Sequence, residues 1–157
     1  MKSILVALVL TLASAGTAAG GQTPWARLAP AIAQRVAALG GRATVLEAGD
    51  ERVVEVTTPQ GRFYVDIGPC PRPASCRWLT FRTTLMPATP LPAAALSGWN
   101  AREPFARASL TPEGRPHLEM TLILADAPGV EPFDQPYRLW VDAMRRFIAM
   151  AYAAPRH

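Results

Sequence analysis

The sequence predicts a single α+β domain, in which helices accompany a twisted antiparallel sheet. Half of its 157 residues are hydrophobic and the net charge is only +4, as is typical of one folded domain. Strand-like runs are joined by short turns, and helical segments precede, divide and follow them, which favours helices packed on an antiparallel sheet. With two cysteines and two histidines, the composition excludes a zinc module, and it also excludes a multidomain enzyme and a multi-span membrane protein.

Residues 1–20 have the pattern of a cleavable secretory signal peptide. Lys2 supplies a positive charge, residues 4–12 are apolar, and the small residues at 13–21 suit cleavage near residues 18–20. The alternative is an uncleaved membrane anchor, but an apolar run of about twelve residues is too short to span a bilayer comfortably. The sequence therefore predicts a periplasmic or secreted protein with no stable membrane span after cleavage.

The predicted domain covers residues 25–154 and starts with a short amphipathic helix at residues 31–39. Ile32, Val36 and Leu39 follow helical spacing, and Gly40 comes next as a stop signal. The pattern then changes to β-rich runs that alternate with turn residues. These runs predict a meander of three strands at residues 43–47, 53–57 and 62–67.

A fourth strand, a helix, a hairpin and a last helix are predicted for the rest of the domain. Apolar residues alternate with polar ones from Leu79 to Leu85, as in a strand with one buried face. In the last helix, Trp140 and Phe147 belong to one apolar stripe, and Asp134 is placed to cap its N-terminus. These elements are predicted at residues 77–85, 91–99, 105–110, 118–124 and 135–152, so the order is α-β-β-β-β-α-β-β-α.

Cys70 and Cys76 are predicted to form a structural disulfide. Two cysteines this close in sequence usually pair in an oxidising compartment. Redox catalysis usually uses the tighter Cys-x-x-Cys spacing, and a metal site needs two further ligands, so both alternatives are weak.

Arginine supplies every positive side chain of the predicted mature protein. Lys2 is the only lysine, so fifteen arginines face twelve carboxylates and the mature net charge is +3. Such a composition suits recognition of phosphate or carboxylate groups, although a GC-rich genome would produce it as well. Because the arginines are scattered and the protein is predicted to be exported, no nucleic-acid partner is predicted.

No catalytic site, metal site or cofactor is predicted. His117 has Glu119 two residues along, on the same face of a strand, but the sequence places no serine or cysteine beside them to complete a catalytic triad. Sequence spacing also brings no two of the other candidate carboxylates together; these are Asp66, Glu103, Asp126 and Glu131. The residues themselves therefore identify no reaction, and an enzyme of unrecognised type is the third hypothesis, after the two binding functions given below.

From Gly61 onward, the chain resembles the YbjN-domain proteins, a bacterial family described as regulators of sensory transduction. The most specific part is a Trp99-Asn100 pair followed by Phe105-Ala-Arg-Ala-Ser-Leu110. Around it lie residues 61–66, the two cysteines, residues 78–81, Gly114, residues 118–122, Trp140 and Phe147. The resemblance implies a fold similar to the type III secretion chaperones, which are dimers that bind extended protein segments. It implies a binding or regulatory module rather than an enzyme, and it brings no known catalytic residues to this chain.

Trp99, Asn100, Arg102 and Arg107 are the predicted partner-binding residues. They would line a groove for a protein or peptide partner or for a small anionic ligand, and binding by strand addition at a sheet edge is one route. The stripe of Trp140 and Phe147 is predicted to be core; if it were exposed instead, it would be a surface for a partner or for a second copy of the chain. The structural alternative is that Asn100 turns the chain and Trp99 fills the core. The leading functional prediction is a regulatory or chaperone-like binding protein in the periplasm, and the alternative is an envelope sensor that holds a small anionic ligand through arginines.

Overall fold

Three helices and six strands make up the part of the chain that the computed structural model describes, residues 24–48, 51–68, 78–124 and 133–153. In chain order they are α1 (Pro24–Ala38), β1 (Arg42–Ala48), β2 (Glu51–Thr58), β3 (Gly61–Ile67), β4 (Trp78–Thr84), α2 (Ala93–Asn100), β5 (Arg107–Leu110), β6 (Pro116–Ile123) and α3 (Asp134–Tyr152). The strands form one open antiparallel sheet in the order β1-β2-β3-β4-β6-β5. The predicted α+β class and the predicted order of elements are confirmed.

Several sequence predictions concern residues outside these ranges. The predicted signal peptide, the Cys70–Cys76 disulfide, and Asp126 and Glu131 all lie there. Within the described ranges, no helix has the length and apolar character needed to cross a bilayer.

Helix α1 begins earlier than the sequence pattern predicts. It starts at Pro24 and continues through Pro30, whereas the periodicity indicated a start at residue 31. Pro30 removes one helical hydrogen bond, but Ala29 and Ile32 are both fully buried. We attribute the continuity of the helix to this buried face, because tertiary packing supplies most of the stability of a short helix.

One face of the sheet carries the core. The alternation predicted for β4 is confirmed, since Leu79 and Phe81 are buried. The fully buried indole of Trp140 in α3 packs against Phe63 and Phe81, with ring centroids 5.7 and 5.8 Å away. Phe147 is also fully buried, so the apolar stripe of α3 is core rather than a partner surface.

The opposite face of the sheet carries a polar row across its strands, with the exposed apolar side chains of Leu46, Trp78 and Ile123 on the same face. The strand register places one row of side chains across it, namely Glu55, Tyr64, Arg82, Glu119 and Arg107. Arg82 Nε donates to Asp66 Oδ2 at 2.5 Å, and its guanidinium carbon lies 5.0 Å from the centre of the Tyr64 ring. This face is therefore held by contacts between its own side chains.

Asp134 does not cap α3 as the sequence predicted. The cap position is Phe133, which has helical backbone angles, and no side chain caps the helix there. The Asp134 carboxylate instead accepts a hydrogen bond from Arg35 Nε of α1 at 2.5 Å, as part of a salt bridge with that guanidinium. This hydrogen bond lowers the pKa of Asp134. Arg35 and Asp134 thus tie the first helix to the last.

Candidate functional site

Trp99 lies in the core at the end of α2. It is 6% exposed, and its ring meets Phe147 of α3 edge-on with the centroids 5.2 Å apart. Most of the Trp99 side chain therefore fills the core, as the structural alternative predicted, since aromatic pairs of this kind contribute to core packing. Its remaining surface faces the cleft described below.

Asn100, the last residue of α2, pairs with the edge strand β5. Its side-chain amide donates to the carbonyl oxygen of Ala108 at 2.9 Å and accepts from the backbone N–H of Ala108 at 2.8 Å. Since β5 pairs on its other side with β6, the amide occupies positions that a further strand would use. Asn100 is therefore a structural clasp, and at Ala108 it stands where strand addition would occur.

Arg107 is exposed but locally engaged. Its Nη1 donates to the backbone carbonyl of Asn100 at 3.1 Å, so this guanidinium lies at the C-terminus of α2, where a positive charge is favourable. Close to it in sequence, Ala106 and Ala108 are buried, whereas Phe105 is 56% exposed. Arg107 does not line the cleft.

Glu103 forms a buried ion pair that the sequence did not reveal. Glu103 is 7% exposed, and its Oε2 accepts from Arg146 Nη2 at 2.5 Å. Its other carboxylate oxygen accepts from the backbone N–H of Phe105 at 3.4 Å. Arg146 also pairs with Asp142 of α3. The partners lie 43 residues apart in sequence, so no local spacing could have identified them.

A cleft lies between α3 and the link that joins α2 to β5, and we call it the α2/α3 cleft. Its volume is about 620 Å³, and its lining includes Trp99, Arg102, Phe105, Leu139 and Met150, beside the ion pairs of Arg146. Of the four predicted binding residues, Trp99 and Arg102 line the cleft and Asn100 and Arg107 do not. Phe105, Leu139, Met150 and Arg146 were not predicted as site residues, because only the packing of α3 brings them together.

A smaller cleft lies at the other end of the α3 surface. It has a volume of about 310 Å³ and includes Gly40, Pro59, Tyr137 and Arg138. Tyr137 is 5% exposed, and burial raises its pKa. Its lining joins two turns, at residues 39–40 and 59–60, to α3, so we regard it as a groove between packed elements.

His117 lies on the face of the sheet that carries the polar row, away from both clefts. The Thr84 hydroxyl is 2.9 Å from His117 Nδ1, and Glu119 Oε2 is 3.8 Å from His117 Nε2. The predicted proximity of His117 and Glu119 is thus observed, together with a hydroxyl that the sequence did not place. In the described ranges, no group of three or more His, Cys, Asp or Glu residues is arranged to hold a metal ion.

The described residues form a small α+β domain with its core on one face of an antiparallel sheet and a cleft beside α3. The chain belongs to the YbjN family: the family's sequence model, described as "Putative bacterial sensory transduction regulator", matches residues 29–152. The match confirms the resemblance and extends it through α1 and the first two strands. No catalytic activity is known for the family. Neither a curated protein nor a solved structure matches the chain, and the similarity to type III secretion chaperones stays a prediction.

Proposed function

We propose that this chain is an exported regulatory module that binds a polypeptide segment in the α2/α3 cleft. The observation that carries the proposal is Phe105, whose aromatic ring stands 56% exposed at a cleft of about 620 Å³. A cleft of this size, lined by apolar side chains with a few polar groups, is typical of a binding site. Exposed aromatic side chains at such positions often serve as contact residues for a partner.

The clasp on β5 favours side-chain docking over strand addition. A segment that paired with β5 at Ala108 would have to displace both hydrogen bonds of the Asn100 amide. A segment that placed its side chains in the cleft would leave them in place. The cleft is therefore the better-supported site on this side of the sheet.

A small anion is a weaker candidate for the ligand. Arg146 is already paired with Glu103 and Asp142, and Arg145 is paired with Asp142 at 2.8 Å. At Arg145 and Arg146 a free anion would compete with these carboxylates, and at any arginine of the cleft it would leave the apolar surface of Phe105 unused. A polypeptide makes use of both kinds of surface.

Export is proposed from the first twenty residues. A positive residue, an apolar run and small residues follow one another there in the order of a signal peptide. Fractionation of cells that express the full chain is expected to place a shortened protein in the periplasm or medium, with its N-terminus near residues 19–21. Recovery of the unshortened chain in the cytoplasm would contradict export.

Site-specific crosslinking tests the binding site. A photoreactive phenylalanine analogue at position 105 is expected to crosslink to a bacterial envelope protein in living cells. The matched control carries the analogue in place of Leu46 of β1, which is 41% exposed on the far side of the sheet. A product formed at position 105 and lost with Met150→Glu supports the proposal. Identical products from both positions, or none from position 105, would contradict it.

A further inference from the structure

We infer that the segment bound in the α2/α3 cleft carries a carboxylate next to an apolar side chain, with the carboxylate on Arg102 and the apolar side chain against Phe105. This inference rests on the proposed function and names the chemistry of the ligand. It follows from how charge is distributed inside the cleft.

The carboxylates of the cleft are neutralised by the protein itself. Glu103 is paired with Arg146 at 2.5 Å, and Asp142 is paired with both Arg146 and Arg145. A basic ligand would therefore find no carboxylate without an arginine beside it. A basic residue on the ligand would also face the arginines that hold these carboxylates.

Arg102 differs from Arg146 in that no described carboxylate is paired with it. It is exposed, and within the described parts of the chain no carboxylate lies in ion-pair range of it. Its backbone N–H donates to the carbonyl of Trp99 at 2.9 Å, which fixes the residue at the end of α2. Its guanidinium lies over α2, where a methyl group added at Gly98 would be 3.6 Å from Nη1. An arginine anchored in this way offers a carboxylate two parallel hydrogen bonds.

The apolar half of the cleft lies beside this guanidinium. Phe105 is three residues from Arg102, and Leu139 and Met150 of α3 line the same cleft. Methionine adapts its shape to different partners and makes favourable contacts with aromatic rings. The backbone N–H of Phe105 donates a hydrogen bond to the Glu103 carboxylate. This contact fixes the backbone position from which the exposed ring projects. The combined surface fits an aliphatic or aromatic side chain adjacent to Asp or Glu.

Selection from a random heptapeptide library displayed on phage tests the inference. The purified protein is expected to enrich peptides in which Asp or Glu neighbours a large apolar residue. Arg102→Gln should weaken a selected peptide about tenfold, because a bidentate charged contact is lost, and Phe105→Ala should weaken it as well. Arg115→Gln, at an exposed arginine in the β5–β6 turn, is the matched control and should bind as the wild type does.

The outcomes separate this inference from the proposed function. Enriched peptides that lack carboxylates, or that bind equally well to Arg102→Gln but not to Phe105→Ala, would overturn the acidic ligand and keep the cleft as a binding site. Enrichment no greater than on an unrelated protein, or binding that is indifferent to both Arg102→Gln and Phe105→Ala, would overturn both. Binding that is lost with Arg102→Gln but indifferent to Phe105→Ala would overturn the apolar half of the inference. Thermal unfolding of each variant shows whether it is folded, and exposed Arg102 and Phe105 are expected to be replaceable without loss of the fold.

Discussion

At the scale of single residues, Asn100 takes the place of a strand beside Ala108. One amide satisfies both a backbone donor and a backbone acceptor. Its role explains why an asparagine follows Trp99 at the end of a helix, where helix-capping chemistry alone would have accepted glycine.

Replacement of Asn100 by Ala is expected to lower the free energy of unfolding by about 1–3 kcal/mol, because the backbone N–H and carbonyl of buried Ala108 lose their hydrogen-bond partners. Asn100→Asp should also destabilise, since a carboxylate oxygen would then face the carbonyl of Ala108. Urea denaturation measures the change, and Ser97→Ala, at an exposed position of the same helix, is the control. Equal stability of Asn100→Ala and Ser97→Ala would show that the clasp contributes little.

The ion pair of Glu103 and Arg146 gives a second expectation at this scale. Arg146→Ala leaves Glu103, whose side chain is buried, without its charged partner. We expect a loss of about 2 kcal/mol, below the range for fully buried pairs because the Arg146 side chain is 44% exposed. Arg145→Ala, whose partner Asp142 is half exposed, should change the free energy of unfolding by less than 1 kcal/mol. Similar losses in the two variants by urea denaturation would contradict this difference.

At the scale of elements, the salt bridge of Arg35 and Asp134 connects α1 to α3 in a pH-dependent way. The pKa of Asp134 is lowered by the hydrogen bond from Arg35, so the folded state favours the ionised carboxylate. The contribution is therefore complete above the unfolded pKa of about 3.9 and is lost as the pH falls through the lower folded value.

Asp134→Asn is accordingly expected to be less stable than the wild type at pH 7, and the difference should narrow as the pH falls below about 4. Urea denaturation of both proteins at a series of pH values measures it. Arg35→Ala should behave in the same way, and the double variant should add nothing to either single change. A difference that stays constant with pH would show that the two side chains do not act through their charges.

The elements also show how far the sequence could predict the structure. Strands and helices with clear periodicity, such as β4 with Leu79 and Phe81, were predicted within a few residues. The spacing of apolar residues in such segments shows which side chains are buried. Trp99 and Arg102 were predicted as site residues and line the cleft, because they end a helix next to it. The Asn100 clasp, the Glu103 ion pair and the position of Asp134 depend on contacts between distant segments, which no local pattern encodes.

At the scale of the whole molecule, the described fold starts after the predicted signal peptide. Removal of residues 1–20 is expected to leave the free energy of unfolding unchanged, since a cleaved signal peptide is not part of the mature domain. Removal of residues 1–38 takes away Ala29, Ile32 and Val36, which are fully buried, and should abolish cooperative unfolding. Near-ultraviolet circular dichroism and urea denaturation distinguish the two proteins. Cooperative unfolding of the shorter protein would contradict the role of α1 in the core.

The two edges of the sheet are unequal, and this inequality limits how copies of the chain can aggregate. On one side β5 has only four residues, and Asn100 already occupies the backbone groups of Ala108. On the other side lies β1, seven residues long, with no described strand beyond it. Growth of a fibre by edge pairing needs two receptive edges on every molecule. A molecule with one such edge can add a single neighbour in a closed two-fold pair, so we expect the Asn100 clasp to stop edge pairing at two copies.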